Sequence, residues 1–210
     1  MYPIYLNLQD RRVVIIGAGS VAARKALPLL EANARLTIVS EKIDQQLQSL
    51  CDNNNIKLIK MKYSKNYLLG ATLAIAATND KKLNRQIYRD CQELEVLCNV
   101  VDDPALCDFF TPAVIRQGDL QIAIGTDGNC PAYAGHLRQK LMNIITEEHG
   151  RFLAELEKLR EKVITQIDEA DKRKTILGKL VSDESFEYFK KNGPAAFNDR
   201  AEKIIQQQND

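Results

Sequence analysis

Four consecutive β-branched apolar residues, Val13-Val14-Ile15-Ile16, run directly into Gly17-Ala18-Gly19-Ser20-Val21-Ala22. An apolar run without polar interruption suits a strand covered on both faces, the situation inside a parallel sheet flanked by helices. The period then changes, because Val21, Ala22, Ala26, Leu29 and Leu30 share one face of a helix that begins near Ser20. Between strand and helix the glycines have separate tasks. Gly17 permits the tight turn, Gly19 lets backbone N–H groups approach a pyrophosphate, and the small Ala22 lets helix and strand pack closely. The helix N-terminus adds partial positive charge. A G-x-G-x-x-A string alone also describes a glycine turn that binds nothing, and its setting between strand and helix is what favours a dinucleotide site.

The same alternation continues through the first 110 or so residues. Strands are expected at Val13–Ile16, Leu36–Val39, Ile56–Met61, Leu73–Ala77 and Val96–Val101. Asn33 is a natural stop for the first helix, since Asn accepts the left-handed conformation. "DKKLNRQIYRDCQEL" supplies another helix, capped by Asp80, with Leu83, Ile87 and Cys91 on its apolar face. Beyond Thr111 the texture changes. Two short strands flank Gln117-Gly118, and "PAYAGHLRQKLMNIITEEHG" reads as one helix entered through Pro131. From Arg151 the chain is charged and helical, with Phe152, Leu156, Leu159, Val163 and Ile167 as an apolar stripe, and its polar end is expected to fray. The expected fold class is α/β: a Rossmann-like parallel sheet domain (1–112), a small segment (113–150) and a C-terminal helical domain (151–210).

Composition narrows the partners. Lys and Arg number 29 against 28 Asp and Glu, a formal net charge of +1, so nothing draws the whole molecule to nucleic acid or an anionic membrane. No apolar stretch approaches the roughly 20 residues that cross a bilayer, and "MYPIYLNLQDRR" lacks the basic leader and apolar core of a signal peptide. Five cysteines, an odd number with no C-x-x-C pair, suit a reducing compartment, and a cytoplasmic location is expected. With only His136 and His149 beside them, no metal site is expected.

Candidate ligand contacts lie where strands end. Ser40, Glu41 and Lys42 follow the second strand, where an acidic residue would grip ribose hydroxyls. Glu41 is the nearest such residue, and Lys42 leaves room for a 2′-phosphate, so NAD is preferred over NADP without being required. Thr78 and Asn79 follow the fourth strand at the ligand-binding edge, although Asn79-Asp80 reads equally as a turn and helix cap. Asp102 and Asp103 follow the fifth, placed for proton transfer or simply forming a solvated Asp-Asp-Pro turn. Cys130, a thiol before a helix N-terminus, reads as packing or as a metal-handling group. His136 reads as a structural histidine.

The leader "MYPIYLNLQDRRVVIIGAGSVAARKALPLLEANARLTIVS", then "AATND", "CNVVDDP" and "LQIAIGTDGNCPAYAGHLRQKL", in that order, resemble the precorrin-2 dehydrogenase and sirohydrochlorin ferrochelatase family of siroheme biosynthesis over roughly residues 1–150. The resemblance implies oxidation of precorrin-2 to sirohydrochlorin with NAD⁺, with Fe²⁺ as the substrate metal of a further chelation step, and a homodimer that builds the tetrapyrrole cleft through the 113–150 segment. It implies that Asp102 is catalytic and that Ser20, Val21, Glu41 and Lys42 contact the nucleotide. Thr126 and Cys130 stand where serines are common in that family, and Thr126 keeps the hydroxyl. A polycarboxylate substrate needs local positive charge, for which Arg24, Lys25, Arg116, Arg138 and Lys140 are candidates; Thr126, Arg138, Arg24 and Lys25 form the expected substrate-binding set. Two rivals are a dehydrogenase without chelatase activity and a nucleotide-sensing regulatory domain, which would have no use for Asp102 or the Pro131 helix.

Overall fold

The computed structural model describes residues 1–43, 45–54 and 56–207, and the chain divides into two compact units, Met1–Thr111 and Pro112–Asp210. In the first unit, strands β1 (Arg12–Ile16), β2 (Arg35–Val39), β3 (Lys57–Ile59), β4 (Leu73–Ala76) and β5 (Leu97–Val100) form one parallel sheet in the order β3-β2-β1-β4-β5. Helices α1 (Ser20–Glu31), α2 (Gln45–Asn53) and α3 (Lys81–Glu93) make the crossovers. The expected Rossmann-like architecture is therefore present. β3 is shorter than the expected Ile56–Met61.

The unbroken apolar run of β1 is explained by burial on both sides. Val13 and Ile15 join one core with Ala22 and Ala26 of α1 and Leu47 and Cys51 of α2. Val14 and Ile16 join another with Ile87 and Cys91 of α3. All four are at most 2 % exposed, which leaves no solvent face on which a polar residue would be tolerated. The strand order reverses direction beside β1, since β2 lies on one side and β4 on the other. That reversal is the switch point outside which ligands of such sheets bind.

Local signals hold where they are self-contained. Asn33 ends α1 at φ +54°. The Asp80 carboxylate accepts from the N–H groups of Lys82 and Leu83 at 2.8 and 3.2 Å and so caps α3.

The second unit carries the hairpin β6 (Ala113–Gln117) and β7 (Leu120–Ile124), turned at Gly118 with φ +57°, and helices α4 (Pro131–Met142), α5 (Glu147–Gln166), α6 (Ala170–Leu180) and α7 (Asp183–Gln206). The single helix expected from Pro131 to Gly150 is in fact two. The Thr146 N–H donates to His149 Nδ1 at 3.2 Å, a reach-back bond that starts a new helix at Glu147. α5 packs against the hairpin: a Cβ added to Gly150 would stand 2.3 Å from the Gln117 carbonyl oxygen. The helices share a core with Phe152 at its centre, its ring 5.1–5.3 Å from those of Phe186, Phe189 and Phe197. Gly193 (φ +80°) and Pro194 break α7 between the last two. The expected fraying of the chain end concerns residues 208–210, outside those described.

Candidate functional site

Because β1, β4 and β5 are neighbours, the turns that leave their carboxyl ends lie side by side. The first is the glycine turn. Gly17 has φ +112°, donates its N–H to the Val39 carbonyl at 2.9 Å, and leaves no room for a side chain, since a Cβ there would lie 2.3 Å from the Ala77 carbonyl oxygen. Gly19 is the opposite case. It is exposed, and a Cβ there would meet no atom within 4 Å. The space beside Gly19 is therefore open, and it lies at the positive end of α1, where the first-turn N–H groups have no intrahelical acceptors. Ala22 is fully buried, as close packing of α1 on the sheet requires. The turn fits a dinucleotide pyrophosphate: tight where it meets the protein and open where a ligand would come. Ser20 and Val21 begin the helix, and Ser20 and Arg24 also line a cleft of about 510 Å³ with Leu27 of α1 and Leu50 and Asn53 of α2.

After β2, the Ser40 hydroxyl donates to the Lys42 carbonyl at 2.7 Å and shapes the turn, leaving Glu41 and Lys42 exposed. After β4, Thr78 is tied into the fold. Its hydroxyl donates to Asn84 Oδ1 at 2.6 Å and accepts from the Asp80 N–H at 3.2 Å, while Asn84 Nδ2 donates to the Thr78 carbonyl at 3.0 Å. Asn79 alone of that pair presents an exposed side chain.

The third turn carries Asp102, exposed and held at φ +62°. Its loop is closed at the base like a handle. Asn99 Nδ2 donates to the Phe109 carbonyl at 2.9 Å and to Cys107 Sγ at 3.4 Å. The Cys107 thiol faces the carbonyls of Val100 and Asp103, each at 3.3 Å. The Asp108 carboxylate accepts from the Cys98 N–H at 2.8 Å and from the Gln92 amide. Burial, above all, raises the Cys107 pKa, so this thiol acts as a hydrogen-bonded packing group. Asn99, Cys107 and Asp108 are the residues that reading for chemistry overlooks. The available signal was a buried-strand Asn followed eight residues later by a polar pair, the spacing of a strand and its returning arm.

Lys25 is half-buried on α1, and its ammonium donates to the Thr111 hydroxyl at 2.7 Å. Burial first, then the neighbouring Arg24, lowers its pKa, and the charges of Cys107 and Asp102 act in the opposite direction.

In the second unit, Thr126 Oγ1 accepts from the Cys130 N–H at 3.3 Å, shaping the turn into α4. Cys130 is exposed, so the packing reading of its thiol does not hold. His136 is also exposed and stacks against Tyr133 with ring centroids 6.3 Å apart. Arg116 and Lys140 are exposed, whereas Arg138 on α4 has a buried Nε without a hydrogen-bond partner. Among the described residues, no three His, Cys, Asp or Glu side chains are grouped to hold a metal ion, and no helix is long and apolar enough to cross a membrane.

A family model described as putative NAD(P)-binding matches residues 4–113. The siroheme synthase of Psychrobacter arcticus is 38% identical over 150 residues, 71% of this chain and 27% of that protein. The siroheme synthase of Thioalkalivibrio sulfidiphilus is 32% identical over 205 residues, 98% of this chain and 42% of that protein. The chain thus spans less than half the length of these curated relatives. Among solved structures, SirC, precorrin-2 dehydrogenase, superposes with a TM-score of 0.80 at 21% identity, covering 97% of this chain and 100% of that one, a likeness of fold. The family resemblance read from the sequence is borne out.

Proposed function

The chain belongs to the putative NAD(P)-binding family, and we propose that it oxidises precorrin-2 to sirohydrochlorin, with NAD⁺ as hydride acceptor. The observation that carries this reading is the pairing of an open glycine turn after β1 with an exposed carboxylate after β5, on the same edge of one sheet. Gly17, Gly19, Ser20 and Val21 are proposed to receive the pyrophosphate, Ser40, Glu41 and Lys42 the ribose, and Asn79, with the Thr78 backbone, the nicotinamide end. NAD⁺, when bound, supplies the hydride acceptor. Asp102 takes the proton that must leave the macrocycle when a C–H bonding pair departs as hydride; the electron pair of the second C–H bond stays behind as a new double bond. Being exposed, Asp102 passes that proton to water.

The substrate is a polycarboxylate, and its carboxylates are proposed to meet Arg24, Lys25, Thr126 and Arg138. The partnerless buried Nε of Arg138 supports an anionic ligand there, because a buried guanidinium donor without an acceptor is costly. Fe²⁺ enters the proposal as a substrate inserted after oxidation; a dehydrogenase that stops at sirohydrochlorin is the alternative. A homodimer formed through the 113–150 segment is supported by Tyr133, Met142 and Ile144, which are 55%, 45% and 63% exposed. Five free thiols support the cytoplasm as its compartment.

The test is an anaerobic assay of the purified chain with precorrin-2 and NAD⁺, following NADH and the sirohydrochlorin spectrum, then adding Fe²⁺. NADH formation followed by a protein-dependent metal spectrum supports both steps. NADH with iron insertion no faster than without protein leaves the dehydrogenase alone. Absence of NADH refutes the assigned activity.

A further inference from the structure

Helices α5 and α6 are joined by residues 167–169 alone, and a cleft of about 560 Å³ opens between them. Arg160 and Ile164, one turn apart, line it from α5, and Ala170, Arg173, Lys174 and Leu177 form the facing stripe of α6. The lining is half cationic and half apolar and contains no Asp or Glu, in a chain whose 29 basic residues are matched by 28 acidic ones. Leu177 rests on the Phe152 core, whereas Ile164 is 44% exposed, an apolar side chain left open to solvent beside the cations. Arg173 is fixed in place, because its Nη1 donates to the Ile167 and Asp168 carbonyls at 3.0 Å each. The side chains of Arg160 and Lys174 are exposed and, among the described residues, hold neither a hydrogen bond nor an ion pair. Acids are not scarce in this unit, since Arg151, Lys158, Lys162, Lys190 and Arg200 each pair with a glutamate.

We propose that this cleft is a binding site for a small amphiphilic anion, an apolar molecule that carries a carboxylate or a group of like charge. Its apolar body lies on Ile164, Ala170 and Leu177, and its anionic group meets Arg160, Arg173 and Lys174. Size decides the class of ligand. The volume falls within the roughly 300–1,000 Å³ of small-molecule sites, whereas six side chains offer far less than the roughly 800 Å² that each partner buries in a stable protein interface. Charge decides the sign. An uncharged occupant would take water from three cations and give them no counter-charge, while an anion replaces that water with charge-assisted hydrogen bonds. Ala170 opens α6, so the positive end of that helix adds to the same field. The site is built wholly within the second unit and does not depend on the proposed oxidation.

The test is fluorescence titration of the full chain with two probes of similar apolar shape, anilinonaphthalene sulfonate and the uncharged phenylnaphthylamine. Saturable binding of the sulfonate, about tenfold tighter than the neutral probe, is expected. Arg160→Gln/Lys174→Gln removes most of that margin, the scale of two exposed charge pairs, and leaves the neutral probe within about twofold of the parent. Ile164→Ala weakens both probes alike, by about threefold. Lys191→Gln, which removes an exposed cation outside the cleft, binds both as the parent does. Circular-dichroism melts of the variants within about 2 °C of the parent make these losses local ones. A sulfonate affinity unchanged in the double variant overturns the proposal by placing the probe elsewhere. Equal affinities of the two probes in the parent overturn it by leaving an apolar patch without charge recognition. A loss in Lys191→Gln as large as in the double variant overturns it by leaving only general charge attraction.

Discussion

The two glycines of the β1–α1 turn separate folding from binding. At Gly17 the φ of +112° lies where an L side chain is strained, costing roughly 1–2 kcal/mol for alanine. The added methyl would also stand 2.3 Å from the Ala77 carbonyl oxygen, a backbone atom that moves only if β4 moves, and overpacking of that kind costs about 1–3 kcal/mol. Gly17→Ala should therefore lose roughly 2–5 kcal/mol, which lowers the Tm of the first unit by on the order of 10 °C or more. At Gly19 the backbone is ordinary, φ −90° and ψ −175°, and the methyl meets no atom within 4 Å. The loss of a favourable cap residue and the gain from a stiffer unfolded chain nearly cancel, leaving stability within about 0.5 kcal/mol. On the proposed function, the methyl does stand where a pyrophosphate comes close. Displacing the phosphate from a single charge-assisted hydrogen bond to the backbone there weakens NAD⁺ binding about ten- to a hundredfold. Thermal unfolding followed by circular dichroism, with calorimetric titration of NAD⁺, measures both quantities. A Gly19→Ala protein that binds NAD⁺ like the parent, or a Gly17→Ala protein melting within about 2 °C of it, would refute the division of labour.

Asp102→Asn should abolish NADH formation from precorrin-2 while leaving the Kd for NAD⁺ within about twofold, because the glycine turn is untouched and Asn tolerates the left-handed backbone at 102; unchanged turnover removes Asp102 from the mechanism. Glu155 on α5 has its pKa held below the ordinary 4.5 by Lys158 and Asn198, whose nitrogens lie 2.8 Å from its oxygens. A depressed carboxylate contributes stability above that ordinary value and loses it as pH falls through the lowered one, so Glu155→Gln should lower Tm at pH 7 and narrow its gap from the parent below pH 4.5, as melts from pH 7 to 3 would measure. Gly150→Ala, which in an open helix would stabilise by about 0.5–1 kcal/mol, should instead cost about 1–3 kcal/mol, because its methyl would lie 2.3 Å from the Gln117 carbonyl oxygen, and urea unfolding decides the sign.

What was legible in the sequence was whatever a few adjacent residues decide among themselves. The doubly buried β1, the glycine turn, the Asn33 stop and the Asp80 cap are short-range matters, written in runs of two to six residues. The break between α4 and α5 escaped because apolar residues continue through Ile144 and Ile145, and nothing in their period announces that His149 will reach back to Thr146. The loop under Asp102 escaped for a related reason: Asn99, Cys107 and Asp108 look like ordinary strand and turn residues until the arm after the loop returns beside β5. Lys25 counted as one cation among several. Its tie to Thr111 is tertiary, and no local pattern encodes a partner 86 residues away.

The left-handed backbone at residue 102 also narrows what time can do to this chain. With φ at +62°, the position admits few side chains cheaply: Asp, Asn and Gly, the residues that enter this conformation without a large penalty. Bulky or β-branched replacements would disturb the handle of hydrogen bonds beneath them. If Asp102 is the proton acceptor proposed above, a descendant that stopped handling protons but still folded would carry Asn or Gly here. Among many such descendants, that one letter would sort working enzymes from those that have kept only the nucleotide site.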